Sequence, residues 1–159
     1  MSKIITFGDN IVVSDAITWP EHLAKHLEKD YINLATKECT NTLIVDTFFN
    51  NIYKISKGDI ISLNFTYSNE NIIDTLKAIN LAISYLERHK MMYLVTCIDE
   101  SVYYNSNDET ITALQNMYKD KITWFGCKGI ARWAEHKNYT TESTAHEEAF
   151  KYIKSQLGI

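Results

Sequence analysis

The chain has 159 residues, 45% of them hydrophobic and 23% charged, which is the composition of a folded globular protein with a substantial core. Its formal net charge is -4 and its basic residues are scattered, so nucleic acid and anionic membrane surfaces are not expected as partners. No stretch approaches the roughly 20 apolar residues that span a bilayer. Gly8-Asp9-Asn10 interrupts the first apolar run early, which argues against a signal peptide.

The three cysteines, Cys39, Cys97 and Cys127, are far apart and form no Cys-x-x-Cys pair. An odd number at such spacing favours neither a disulfide framework nor a zinc site. We therefore expect reduced thiols, an intracellular protein and no bound metal.

Strands and helices alternate along the predicted chain. The apolar run from Ile4 predicts a buried first strand that opens onto a loop at Gly8-Asp9-Asn10. Thr18-Trp19-Pro20-Glu21 has the spacing of a capping box and predicts a helix that continues to about Lys29. Apolar periodicity and turn residues then predict strands at 31–35, 60–65, 92–98 and 122–125, helices at 41–52, 69–89, 108–118 and 144–157, and an irregular segment at 126–141.

Five strands that alternate with helices predict a parallel sheet with helices on both faces. No linker, repeat or low-complexity stretch interrupts the pattern. The predicted fold class is therefore α/β, a three-layer α/β/α arrangement of flavodoxin-like type in a single domain over residues 1–159. Ligands of such sheets bind beyond the carboxyl ends of the strands, where Gly8 and Asp9 are expected.

Two stretches near the start and the end of the chain resemble sequence blocks of the SGNH (GDSL) hydrolases. Gly8-Asp9-Asn10 is similar to the first block, in which a strand delivers Gly-Asp-Ser and the serine is the nucleophile. Ser143-Thr144-Ala145-His146 is similar to the last block, Asp-x-x-His, with the histidine kept and the aspartate replaced.

Two internal stretches resemble the remaining blocks less closely. Asn33-Leu34-Ala35 fits the start of the second block, and Lys37-Glu38 stands where the oxyanion-hole glycine is expected. Asn69 fits the asparagine of the third block, without the glycine that precedes it in the family. The resemblance implies a five-stranded SGNH-type sheet of order 2-1-3-4-5 and a site at its C-terminal end, formed by Asn10, Asn69 and His146 and lined by Gly8, Asp9, Glu38 and Ser143.

The departures from the family pattern fall on the parts that carry the chemistry. Acyl transfer needs an activated hydroxyl, a base and donors aimed at the developing oxyanion. Asn10 offers an amide that no histidine converts into a nucleophile, and Glu38 adds negative charge near the oxyanion position. His146 lacks the aspartate that fixes its tautomer, and Glu142 is one residue out of that spacing. The sequence therefore predicts a catalytically inactive SGNH-like protein with a binding or structural role.

The Trp-Pro-x-x-Leu opening of the first helix, from Trp19 to Leu23, is similar to that of small SGNH-like proteins encoded by large tailed phages. This likeness implies phage or virion proteins as partners. It also implies a cytoplasmic or virion-associated location, in keeping with the lack of a signal peptide.

Two other functions stay open at this point. A divergent esterase acting on a small acyl ester would use Ser14, four residues after Asn10, as its nucleophile. A flavodoxin-like module would bind a small ligand at the sheet edge beside Gly8. The chain has neither a P-loop nor a Gly-x-Gly-x-x-Gly motif, so no nucleotide cofactor is expected.

Two further groups of residues have both a functional and a structural interpretation. His22 and His26 stand one helical turn apart, as a metal-binding pair does, but no third ligand is evident, so an exposed helix face is the better interpretation. A set of aromatic residues towards the end of the chain either lines a pocket or partner surface or packs locally: Trp124, Trp133, His136 and Tyr139.

Overall fold

A computed structural model describes residues 2–9, 16–67 and 70–159 of the chain. Within these ranges the strands are β1 (Lys3–Gly8), β2 (Asp30–Asn33), β3 (Ile60–Phe65) and β4 (Met92–Cys97), and the helices are α1 (Trp19–His26), α2 (Asn41–Asn50), α3 (Ile72–Arg88), α4 (Glu109–Tyr118), α5 (Ile130–His136) and α6 (Glu142–Leu157). Three of the predicted site residues, Asn10, Ser14 and Asn69, lie outside the described residues.

The strands form one parallel sheet in the order β2-β1-β3-β4. Ile4 of β1 lies opposite Tyr31 of β2 and Ile60 of β3, and Ile60 lies opposite Met92 of β4. Since all four strands run in one direction, their carboxyl ends meet at a single edge of the sheet. The α/β class and the order of the first four strands are confirmed.

The structure differs from the prediction at the fifth strand. Thr123 donates its backbone N–H to a carbonyl of β4 at 2.7 Å, but no ladder of hydrogen bonds follows. Instead Phe125 pairs with Lys128 across a tight turn, whose central residues Gly126 and Cys127 both have positive φ. This turn directs the chain away after one contact, so the sheet within the described residues has four strands rather than five.

The segment predicted to be irregular contains helix α5. Gly129 precedes this helix, and a Cβ at that position would lie 2.2 Å from the Cα of Asp99. Only glycine permits so close an approach of two backbones. The N–H of Ala131 then donates to the carbonyl of Ile98 at 2.9 Å, so the start of α5 is fixed against the chain that leaves β4.

Helices cover both faces of the sheet, so the fold has three layers. Successive side chains of each strand point to opposite faces, and each face therefore packs apolar strand residues against helices. One buried cluster joins strand residues to α2 and α3: Ile5, Phe7, Ile61, Leu63, Val95, Ile44, Phe48, Leu76, Ile79 and Ile83. The other joins the opposite face to α1, α5 and α6: Ile4, Leu94, Trp19, Leu23, Ile130, Trp133, Ala149 and Ile153. In the described part of the chain, no helix has the length and apolar character needed to cross a bilayer.

Candidate functional site

The end of β1 carries a buried carboxylate that is held on both of its oxygens. The side chain of Asp9 is among the buried polar groups, with 5% of its surface exposed. Its Oδ1 accepts the backbone N–H of Cys39 at 3.3 Å, and its Oδ2 accepts the hydroxyl of Thr66 at 2.7 Å. Asp9 therefore connects the end of β1 to the loop after β2 and to the residue that follows β3.

Asn41, at the start of α2, fixes Thr66 from the other side. Its side chain is fully buried, donates through Nδ2 to the carbonyl of Thr66 at 3.1 Å, and accepts the N–H of Thr66 through Oδ1 at 2.8 Å. This paired contact satisfies both backbone groups of Thr66 and positions its hydroxyl on Asp9. We call Asp9, Cys39, Asn41 and Thr66 the Asp9 network.

Cys39 is the one thiol of this network, and its environment keeps it protonated. The Sγ atom donates to the carbonyl of Gly8 at 3.5 Å. Burial, followed by the nearby charge of Asp9, raises the pKa of the Cys39 thiol to about 11. Since the thiolate is the nucleophilic form of cysteine, Cys39 has a structural place in the network and is not an activated nucleophile.

The loop that contains Glu38 lies beside the end of β1, as the resemblance implies. The N–H of Thr36 donates to the carbonyl of Gly8 at 3.0 Å. Glu38 itself is exposed and has a φ of 54°, in the left-handed region that favours glycine. At the position where the family pattern places a glycine, the backbone thus has a conformation suited to glycine and the side chain is a glutamate.

A second set of buried polar side chains lies along the strands next to this network. Asn64 of β3 donates to the carbonyl of Phe7 at 3.0 Å and to the hydroxyl of Ser62 at 2.9 Å. Its Oδ1 accepts the hydroxyl of Thr96 at 2.8 Å, which adds β4 to the chain of contacts. These bonds keep β1, β3 and β4 in fixed relation near their carboxyl ends.

Glu70 ties the segment after β3 to the first turn of α2. Its Oε1 accepts the N–H of Thr42 at 2.9 Å and the hydroxyl of Thr75 at 3.0 Å. Partial burial raises the pKa of Glu70, but these hydrogen bonds outweigh it and the net pKa is below the ordinary value. Glu70 is therefore a charged helix-end partner for α2, where a carboxylate is favoured by the helix dipole.

His146 lies in α6 and is almost completely buried, with 2% of its surface exposed. Its Nδ1 accepts the backbone N–H of Trp19 at 3.3 Å, and its Nε2 lies 3.8 Å from a carboxylate oxygen of Glu142. Burial lowers the pKa of His146, and the neighbouring charge of Glu142 opposes that shift only in part. The ring is thus a neutral group that satisfies the first amide of helix α1.

This contact replaces the capping box expected from the sequence. The side chain of Thr18 makes no hydrogen bond to the amides of α1 and lies instead 3.3 Å from the hydroxyl of Tyr31. Pro20 has no N–H, so the amide of Trp19 is the first donor of the helix that needs a partner. That partner comes from 127 residues further along the chain, which no local spacing reveals.

The predicted site residues therefore divide into two groups. Gly8, Asp9 and the loop of Glu38 come together at the carboxyl edge of the sheet. Ser143 is exposed in the first turn of α6, and His146 is buried against α1. Among the described residues, no hydrogen bond connects His146 to the Asp9 network.

Of the two histidines of α1, His26 is exposed, as predicted for this helix face, whereas His22 is not. The rings of His22 and His26 both contact Phe150 of α6, each at 5.7 Å between centroids, and His22 is half-buried there. The described parts of the chain contain no group of three side chains placed to hold a metal ion. Of the aromatic set, Trp133, His136 and Tyr139 line one groove. Trp124 packs edge-on against Tyr103, and the two line a separate groove.

Sequence reasoning missed Cys39, Asn41 and Thr66. Asn41 lies at the start of the predicted helix over residues 41–52 and Thr66 directly after the predicted strand over residues 60–65, and neither position by itself indicates a place in the site. A usable signal exists, since both are small polar residues next to apolar elements, where a buried side chain must find hydrogen-bond partners.

The sequence matches no family model, and no curated protein has a significantly similar sequence. Among solved structures, the fold is similar to the crystal structure of a member of the lipolytic protein G-D-S-L family from Veillonella parvula DSM 2008. The two share 18% identity with a TM-score of 0.50, over 87% of this chain and 75% of the other. The likeness concerns the fold, and it confirms the SGNH-like fold implied by the sequence blocks.

Proposed function

We propose that this SGNH-like fold carries no hydrolytic activity and serves a binding or structural role. The observation that carries the proposal is the hydrogen bond from the backbone of Trp19 to Nδ1 of His146. This bond occupies Nδ1 of His146, and Nδ1 is the nitrogen through which a triad histidine donates to its aspartate.

The tautomer of the His146 ring decides whether the ring can act as a base. A catalytic histidine of the triad type donates from one nitrogen to a carboxylate and uses the bare second nitrogen to take the proton of the nucleophile. In His146 the Nδ1 atom is an acceptor, so the single proton of the neutral ring belongs on Nε2, which faces Glu142. No ring lone pair then remains to act as a base.

The groups near the end of β1 supply no substitute. Asp9 has both oxygens in hydrogen bonds, and the raised pKa of Cys39 keeps that thiol protonated. Asn10 carries an amide in place of the family serine. The nucleophile and the base are thus altered together, which supports a loss of chemistry with retention of the fold.

The divergent esterase is the alternative from another functional class. It would rely on Ser14 as the nucleophile and on His146 as the base, so it needs the histidine to leave Trp19. The flavodoxin-like alternative predicts a ligand beside Gly8. Association with phage or virion proteins stays a prediction from the sequence resemblance.

Turnover of short nitrophenyl esters tests the proposal directly. We expect the purified chain to release nitrophenol no faster than a heat-denatured sample, and His146→Ala to behave like the exposed-histidine control His26→Ala. Turnover above background that His146→Ala abolishes, with circular dichroism showing an intact fold, would contradict the proposal. A parallel loss in Ser14→Ala would establish the esterase alternative.

A further inference from the structure

A groove between α5, α6 and the Phe125–Lys128 turn has a built aromatic wall. It has a volume of about 460 Å³. The ring of Trp133 lies 5.0 Å from that of Phe125, 5.3 Å from that of Tyr139 and 6.0 Å from that of Tyr152. Phe125 is fully buried and Trp133 almost so, whereas Tyr139 and Tyr152 are half-buried. The two tyrosines and the exposed part of Trp133 therefore form the apolar side of the groove, where another ring can make contact. We call this the aromatic groove.

Hydrogen bonds keep one wall of the aromatic groove in place. Phe125 and Lys128 exchange backbone hydrogen bonds of 2.9 and 3.2 Å across the turn. The N–H of Gly126, inside the turn, donates to the hydroxyl of Tyr152 at 3.3 Å, so the turn is joined to α6. The position of Lys128 at the groove is therefore defined by backbone contacts.

The charged groups that line the groove are mostly cationic. Lys128, Lys137 and Lys151 are set against one carboxylate, Glu148. Glu148 is paired with Lys151 at 2.7 Å, and Lys151 has a second partner in Glu147 at 3.0 Å. Lys128 and Lys137 have no ion-pair partner among the described residues. In a chain of net charge -4, two lysines without an ion-pair partner beside a cluster of aromatic rings are a local excess of positive charge.

We propose that the aromatic groove binds a small planar aromatic anion, whose ring contacts Trp133 and Tyr139 and whose carboxylate or phosphate group lies between Lys128 and Lys137. Its volume is in the range that small organic ligands occupy. The rings supply apolar contact, and the two ammonium groups supply charge complementarity. Because neither lysine has an ion-pair partner among the described residues, the ligand does not have to break an ion pair to bind. The groove shares no lining residue with the Asp9 network, so this proposal does not depend on the inactivity of the SGNH-like site.

Fluorescence titration with anilinonaphthalene sulfonate, an aromatic anion, tests the groove. We expect saturable one-site binding to the folded chain, and affinity about tenfold lower in the double variant Lys128→Gln/Lys137→Gln, since each partly exposed ammonium contributes modestly. The matched control Lys54→Gln/Lys77→Gln removes two lysines elsewhere and should bind like the unaltered chain. Equal affinity in both double variants would overturn the proposal.

Competition identifies the anionic group. Naphthoate and naphthyl phosphate are each expected to displace the probe, and the stronger of the two indicates whether a carboxylate or a phosphate is recognised. Neutral naphthol should compete at least about tenfold less well. Naphthol as effective as both anions, or failure of both anions, would overturn the proposal.

A salt titration of the unaltered chain keeps the test independent of the variants. If the lysines hold the anion, the affinity for naphthoate falls as the ionic strength rises, because exposed charges are screened. An affinity that is insensitive to salt would contradict a role for Lys128 and Lys137, even if the double variant failed to fold.

Discussion

The Asp9 network and the aromatic groove differ in how far the fold already occupies their polar groups. In the network, both oxygens of Asp9 and both backbone groups of Thr66 have partners from within the chain. In the groove, the ammonium groups of Lys128 and Lys137 have no such partner among the described residues. A polar site whose groups are satisfied internally holds elements together, whereas unpaired charge beside apolar rings is available to a ligand.

The position of the network makes this contrast informative. The carboxyl edge of a parallel sheet is the usual ligand site of α/β folds. Here the side chains of Asp9, Asn41 and Thr66 at that edge are hydrogen-bonded within the chain. The ring of His146 likewise has a partner within the chain, since its Nδ1 accepts the backbone N–H of Trp19 in α1. The carboxyl edge of the sheet thus differs from the aromatic groove, where Lys128 and Lys137 have no ion-pair partner among the described residues.

The largest effect is expected when the network loses its central amide. Asn41→Ala leaves the N–H and the carbonyl of Thr66 buried without partners, and each such group costs about 1–3 kcal/mol. We expect the free energy of unfolding to fall by about 2–4 kcal/mol, measured by urea denaturation.

The exposed Asn50→Ala, on the same helix, is the matched control and should change stability by less than about 0.5 kcal/mol. If Asn41→Ala were no more destabilising than this control, the network would not hold the edge together, and the contrast with the aromatic groove would fail.

A pH-dependent effect of intermediate size is expected at His146. Because burial lowers the pKa of the folded ring, the unfolded chain binds its proton more readily below the ordinary pKa of about 6.5. This contribution to stability is complete above that pH and is lost as the pH falls towards the lower pKa of the folded state. The charge of Glu142 raises the pKa of the ring and that of His22 lowers it, so these two groups act in opposite directions.

His146→Asn isolates this titration, since an asparagine carbonyl accepts a hydrogen bond without binding a proton in this range. We expect the unfolding free energy of the variant, measured between pH 5 and pH 7, to depend less on pH than that of the unaltered chain. His26→Asn, at an exposed position of α1, is the matched control and is measured over the same pH range. Identical profiles for the unaltered chain and His146→Asn would mean that the ring is not held in its neutral form.

The sequence predicted the layers and most elements because their signals are local. Apolar runs predicted the four strands that the described residues form, and the family resemblance implied their order in the sheet. The prediction of a fifth strand was wrong because the segment ends in a turn at Gly126 and Cys127. The positive φ values of these two residues direct the chain away from the sheet.

The site was less predictable because its contacts are distant in sequence. The loop that contains Glu38 reaches the end of β1 through a hydrogen bond from Thr36 to Gly8. The hydrogen bond between His146 and Trp19 joins residues 127 positions apart. The side chain of Asn41, at the start of α2, bonds the backbone of Thr66, which follows β3. Neither leaves a residue pattern at fixed spacing, so each becomes visible only when the helices are packed.

The smallest effect is expected from rebuilding the family motif. Asn10→Ser combined with Glu38→Gly restores a hydroxyl at the end of the first block and a glycine at a backbone position that already has positive φ. Replacing Glu38, whose backbone is in the left-handed region, should leave stability within about 1 kcal/mol, because relief of strain offsets the greater chain entropy of glycine.

Ester turnover by the double variant should nonetheless stay at background. Nδ1 of His146 still accepts from Trp19, so the restored hydroxyl has no base, and triad members act as a unit rather than additively. Strong hydrolysis by the double variant, lost again on adding His146→Ala, would show that the histidine leaves α1 readily and that the edge of this sheet is one step from catalysis.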